Sequence, residues 1–198
     1  MPEKSIRLII GLGNPGREYA NSRHNTGFMV IEEIATAFAV SLDHKKFDIL
    51  FGRGSIEKHN VILAKPMAFM NNSGPPVKQL AGYFRISSAD LLVIHDDIDL
   101  AFGRLKIKEK GGHGGHKGVK SLMDAFGKGE FARLRIGVGR SEGAVSVTDH
   151  VLGRFSVEEK KMLKGILARA QEAVVTILSR GIKDGMNRFN DKRFEMTS

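Results

Sequence analysis

The chain of 198 residues contains no cysteine. That excludes a disulfide framework, a thiol nucleophile and a cysteine-ligated metal, and it fits a reducing cytosol. No apolar run approaches the roughly 18 residues that a membrane-spanning helix requires. The opening MPEKSIRLII enters a strand-like run directly and shows no signal-peptide cleavage pattern, so the expected location is the cytoplasm. Repeats, low-complexity linkers and internal boundaries are also missing, so 1–198 reads as one domain. Neither Ser22 nor Ser73 lies in a nucleophile-elbow sequence.

Positive charge, by contrast, is abundant. Lysine and arginine number 31 against 22 aspartates and glutamates, a net charge of +9. Such a balance favours a polyanionic partner; solubility alone is the plainer reading. Lys106, Lys108 and Lys110 alternate with Leu105, Ile107 and Glu109, which on a strand puts three ammonium groups on one face. Arg133 and Arg135 repeat the pattern. Two such strands predict a cationic stripe that tracks phosphates. About four phosphate contacts would give log K a slope of about −3 to −4 against log salt.

The order of elements is α/β. Residues 6–10 form a strand pattern, and Phe28, Ile31, Ile34, Ala35 and Phe38 predict a helix over 27–40. Segments 47–53, 55–58 and 61–64 read as short strands broken by Gly54 and by His59-Asn60. Pro75-Pro76 open a helix with Val77, Leu80, Ala81 and Phe84 on its core face. Residues 91–95 and 134–138 are further strands, and 140–149 is a polar loop. Ser156 and Glu159 make a capping box for a long helix that Gly181 closes. The alternation predicts a central mixed sheet flanked by helices on both faces, with functional loops beyond the strand ends.

Residues 11–25, GLGNPGREYANSRHN, begin with G-x-G-x-x-G, the spacing of dinucleotide-binding turns. Such a site needs a helix directly after the glycines, and here no apolar face emerges until Phe28. Glu32 and Glu33 sit inside the helix, not at the end of a second strand, so the acidic ribose partner lacks its context. The glycines then serve a sharp turn that presents Asn14, whose amide can donate to a substrate carbonyl or cap its own backbone. His24 becomes a candidate general base if a carboxylate such as Asp96 fixes its tautomer. Asp96, Asp97 and Asp99 alternatively read as solvated loop charges, or as half of a metal site with His95. His113 and His116, in the glycine loop 111–118, invite zinc or, more simply, substrate donors. Asn71 marks another polar strand-to-helix junction.

Four motifs in this order, GLGNPGREYANSRHNTGF, KPMAFMNNSG, VIHDDIDLAFGRLKIK and GGHGGHKGVKSL, closely resemble bacterial peptidyl-tRNA hydrolases, and the resemblance extends through GMNRFN at 185–190. It implies a monomeric single-domain α/β hydrolase of the ester joining a peptide to tRNA, with tRNA and the attached peptide as partners and no membrane. His24 falls on the catalytic base, Asp96 on its supporting carboxylate and Asn14 on the residue that distinguishes blocked from free amino groups. Tyr19, Phe69 and Asn71 fall on substrate-contacting positions, with His116 beside them. Lys108 and Arg135 fall on the phosphate clamp. Lys117 departs from the family's usual asparagine and places a cation that only donates where an amide would donate and accept. No cofactor and no metal are expected, because an ester is already activated relative to an amide.

Overall fold

The computed structural model describes residues 7–141 and 143–190. Seven strands form one mixed sheet: β1 (Arg7–Gly11), β2 (His44–Lys46), β3 (Ile49–Ile56), β4 (His59–Pro66), β5 (Leu91–Asp97), β6 (Leu105–Lys108) and β7 (Ala132–Gly137), in the order β2-β3-β4-β1-β5-β7-β6. The central strands β4, β1, β5 and β7 are parallel; β2, β3 and β6 add antiparallel edges. The helices are α1 (Thr26–Ala37), α2 (Gly74–Tyr83), α3 (Lys117–Phe126), α4 (Val147–Leu152), α5 (Val157–Arg180) and α6 (Ile182–Phe189).

Each face of the sheet carries its own core. Ile9, Leu63, Ile94 and Leu134 pack against Ile31, Ile34, Val174 and Ile177 from α1 and α5. Leu8, Ile10, Ile62 and Val93 pack against Val77, Leu80, Val119 and Leu122 from α2 and α3. Strands buried on both sides read as continuous apolar runs, which is why β1, β4 and β5 stand out in the sequence. The expected α/β architecture with helices on both faces is the one observed.

Several expected boundaries change. Ile6 lies outside the described residues. The three short strands after α1 are two long ones joined by a two-residue turn in which Glu57 and Lys58 have positive φ. Gly54 does not break β3; a Cβ there would meet Val40 at 2.5 Å, so the glycine admits the end of the α1 segment against the strand. The charged β2 and the short α6 lack a signal strong enough to announce them. Within the supposed loop 140–149, Ser146 caps α4 by accepting the N–H of Asp149 at 3.0 Å. Lys110 falls past the end of β6. The capping box of α5 and its closure by Gly181 are as expected.

From β1 the chain runs through α1 to β2 at the sheet edge and returns by β3 and β4 to the side of β1; α2 then carries it across to β5. The chain therefore reverses its direction of winding beside β1, and the crevice outside the carboxyl ends of β1, β4 and β5 is where such folds bind ligands.

Candidate active site

Gly11 and Gly27 bring the start of α1 onto the sheet. A Cβ on Gly27 would lie 2.4 Å from the Ile94 carbonyl oxygen, and one on Gly11 would lie 2.1 Å from that of Gly27. No larger residue permits this approach, which sets the single helical turn Arg23–Asn25, and with it His24, over the end of β5. Arg23 pins the same turn from outside. Its guanidinium bonds Glu159 at 2.7 Å and the His150 carbonyl at 3.3 Å, and its backbone N–H donates to the Gly153 carbonyl at 3.1 Å.

His24 is 9% exposed, and its Nδ1 lies 2.9 and 3.0 Å from the two oxygens of Asp96. Asp96 also accepts from Nε2 of His116 at 2.9 Å. The tautomer of His116 follows from its other nitrogen: Nδ1 accepts the N–H groups of Gly118 and Val119 at 3.2 and 3.3 Å and so caps α3. Its Nε2 therefore carries the proton and donates it to the carboxylate. His24 likewise donates from Nδ1, which leaves its Nε2 as a lone-pair acceptor toward the cavity.

Burial alone would raise the pKa of Asp96. His116 and His24 outweigh it and hold the carboxyl well below the usual range, so Asp96 stays ionised. His95 follows the opposite course. Burial, with His116 as the next contribution, lowers it from 6.5 to about 3. Its Nδ1 donates to the Asp96 carbonyl at 2.7 Å, its ring packs edge-on against His116, and its Nε2 is buried without a partner.

The carboxylates of the β5 end divide among separate partners. Asp96 takes the two histidines, Asp97 takes Nε of Arg135, and Asp99 takes Arg140 at 2.5 Å. The solvated-loop reading thus holds for Asp99, which is exposed, and not for Asp96 and Asp97, which are buried; His95 turns its Nδ1 to a backbone carbonyl. His113 and His116 are not a ligand pair either, since Nδ1 of His113 accepts the Gly115 N–H at 3.0 Å. Among the described residues, His24, Asp96 and His116 have ligand-type atoms within 4.8 Å of one another. Direct hydrogen bonds already account for that closeness.

Asn14 stands at the end of β1. Its Oδ1 accepts the Met70 N–H at 2.8 Å, which points the amide nitrogen elsewhere; the residue lines the cavity. Asn25 fixes the Asn14 backbone from the far side, accepting its N–H and donating to its carbonyl, each at 2.9 Å. Sequence reading passed over this role of Asn25, for which only adjacency to His24 gave a signal.

A cavity of about 980 Å³ opens over these groups. Phe69 and Asn71 line it from the β4 side, Lys108 and Arg135 from β6 and β7, and Lys117 from α3. Tyr19, expected among the substrate contacts, does not line it; it lies in the turn after Gly16. Arg133 is no member of an open phosphate stripe. It is 3% exposed and donates to the carbonyls of Gly111 and Gly112, both at 2.5 Å, and of Gly129 at 3.3 Å, anchoring the glycine loop that carries His116.

The family model for peptidyl-tRNA hydrolase matches residues 8–197. A peptidyl-tRNA hydrolase of Geobacillus kaustophilus is 45% identical over 186 residues, 94% of this chain and 100% of that one. One from Clostridium botulinum is 43% identical over 183 residues, 92% and 95% of the two chains. The crystal structure of peptidyl-tRNA hydrolase from Acinetobacter baumannii superposes with a TM-score of 0.89 at 37% identity, covering 96% of this chain and 97% of that one. With its histidine pair on one carboxylate at the sheet's switch point, the chain belongs to the peptidyl-tRNA hydrolase family.

Proposed function

We propose that this chain hydrolyses the ester joining a peptide, or an N-blocked amino acid, to tRNA, and that His24 activates water directly. The observation that carries the mechanism is the 2.9 Å contact of His24 Nδ1 with Asp96, which leaves Nε2 facing the cavity as a base. Nε2 takes a proton from water as the oxygen bonds to the ester carbonyl carbon. The ionised Asp96 stabilises the imidazolium that forms. The bond to the ribose oxygen then breaks, the imidazolium returns its proton to that oxygen, and a peptide acid and free tRNA leave. General-base assistance of this kind contributes about 10²–10⁴ in rate.

Asn14, aimed by Met70 and Asn25, donates to the substrate carbonyl. Asn71 and Phe69 hold the peptide, and Lys108 and Arg135 take tRNA phosphate. Nε of Arg135 is committed to Asp97, which leaves its terminal nitrogens for the phosphate. Both ring nitrogens of His116 are used within the protein, so it meets substrate through the ring and acts chiefly on Asp96. In this scheme the working unit is a single chain. Its substrate arises in translation, which supports a place in the cytoplasm. No helix among the described residues is long and apolar enough to cross a membrane.

An RNA-binding relative without hydrolase activity is not what the curated relatives support. The test is His24→Ala, assayed in single turnover with N-acetyl-aminoacyl-tRNA beside its unblocked counterpart. Cleavage of the blocked ester falls by orders of magnitude while tRNA binding survives. Near-normal cleavage would overturn the assignment.

A further inference from the structure

We propose that the groove between the N-terminal end of α2 and the length of α3 receives the peptide beyond its ester-linked residue, and that Lys117 gives it a preference for acidic side chains. The proposal rests on the ester-hydrolase reading, which puts the peptide on the Asn14 and Asn71 side of the cavity. The groove, about 460 Å³, is lined by Asn71, Asn72, Lys117, Lys120, Ser121 and Asp124. Asn71 and Lys117 line both spaces, so a chain leaving the active site past Asn71 enters the groove.

The groove is built on a fixed floor. The Gly74 N–H donates to Ser121 Oγ at 2.9 Å, and a Cβ on Gly74 would lie 2.0 Å from the Ser121 carbonyl oxygen. The two helices therefore touch at this point, and a bound peptide meets a surface that is already formed. The Asn71 and Asn72 side chains are exposed and offer both donors and acceptors to a peptide backbone.

Charge supplies the selectivity. Lys120 is neutralised by Asp124 at 2.7 Å. Lys117 is exposed and makes no ion pair among the described residues. It is the first residue of α3, the positive end of the helix dipole, with no acidic residue in the first turn. A carboxylate arriving there meets an unbalanced ammonium and a favourable dipole together. Lys108 and Arg135, the cations assigned to phosphate, line the cavity but not the groove.

The test uses one tRNA carrying N-acetylated tetrapeptides with a single Glu or Gln placed at successive positions, and N-acetyl-aminoacyl-tRNA as a substrate too short for the groove. At one or more positions beyond the first, the parent protein shows a kcat/KM for Glu about two- to fivefold above that for Gln, the range of an exposed ion pair. Lys117→Gln brings the Glu-to-Gln ratio to one at every position; each ratio is taken on one protein, so a change common to all substrates, the short one included, cancels from it. An equal loss on all substrates, with a smaller salt slope, would instead make Lys117 a phosphate contact and overturn the proposal. So would the absence of any Glu preference. Hydrolysis of the short substrate separates either failure from a failure of the hydrolase reading itself.

Discussion

Asn25 brackets the backbone of Asn14: its Oδ1 accepts the Asn14 N–H and its Nδ2 donates to the Asn14 carbonyl, each at 2.9 Å. The side chain of Asn14 is thus aimed by a residue that does not itself line the cavity. Asn25→Ala leaves two buried backbone groups unpaired, which costs about 1–3 kcal/mol in thermal unfolding. It also lets Asn14 drift, and a displacement of about 1 Å at such a site lowers kcat by roughly a hundredfold. Asn25→Asp still accepts the N–H and recovers part of both losses. An unchanged rate in Asn25→Ala would show that Met70 alone aims Asn14.

His116 has two separable duties, one for each ring nitrogen. His116→Ala removes the cap of α3, about 0.5–2 kcal/mol of stability, together with a donor to Asp96. His116→Asn retains capping ability but cannot reach Asp96 in the same way, so its melting temperature stays near the parent's. Both variants lose about tenfold or more in kcat, the value of a hydrogen bond to a charged group. Equal melting temperatures for parent and His116→Ala would remove the capping duty.

Arg133 and Lys108 face each other across β6 and β7 yet predict opposite outcomes. Lys108→Ala weakens tRNA binding and reduces the slope of log K against log salt by about one, because one phosphate contact is lost. Arg133→Lys keeps the charge but cannot reach all three carbonyls of the glycine loop. It destabilises the protein by about 1–3 kcal/mol and leaves the salt slope intact. Filter binding over a salt series, beside thermal melts, distinguishes the two.

Acid stability reports His95. Its pKa is about 3 in the folded protein against 6.5 as its ordinary value, so the unfolded chain binds the extra proton first. Stability contributed by the neutral ring is complete above about pH 6.5, falls as pH drops, and levels off near pH 3, a loss on the order of a few kcal/mol. Asp96 adds no slope in the upper part of that window, since its depressed pKa matters only as pH falls below the ordinary carboxylate value. Denaturant melts of His95→Phe between pH 7 and 4 show a shallower decline than those of the parent. Parallel curves would mean that another group carries the proton linkage.

The sequence made the sheet legible where strands are buried on both faces, as in Leu8–Ile10 of β1 and Leu91–Ile94 of β5, because those runs are wholly apolar. It misled where a residue type has two physical uses. Gly54 reads as a break, yet it accommodates a neighbouring segment against a continuous strand. Arg133 alternates correctly for a phosphate stripe, but burial gave its guanidinium to the backbone of the glycine loop. The motifs placed His24 and Asp96 together, whereas the second histidine on the same carboxylate depends on a fold that closes 20 residues into one contact. Tyr19 is a motif residue that the structure places in the turn after Gly16, beside and not among the residues that line the cavity.

Strand pairing also makes the sheet a ruler. Asp96 pairs with Ile136, Ile136 with Leu105, and Lys108 lies three residues farther along β6. Two strand spacings and three residues of rise put the Cα atoms of Asp96 and Lys108 roughly 14 Å apart. That span is held by the ladder's hydrogen bonds, so under the proposed roles of Asp96 and Lys108 a molecule presenting its ester and its phosphate at a very different separation satisfies only one end of the site. Length thereby becomes a criterion of recognition that requires no reading of nucleotide bases.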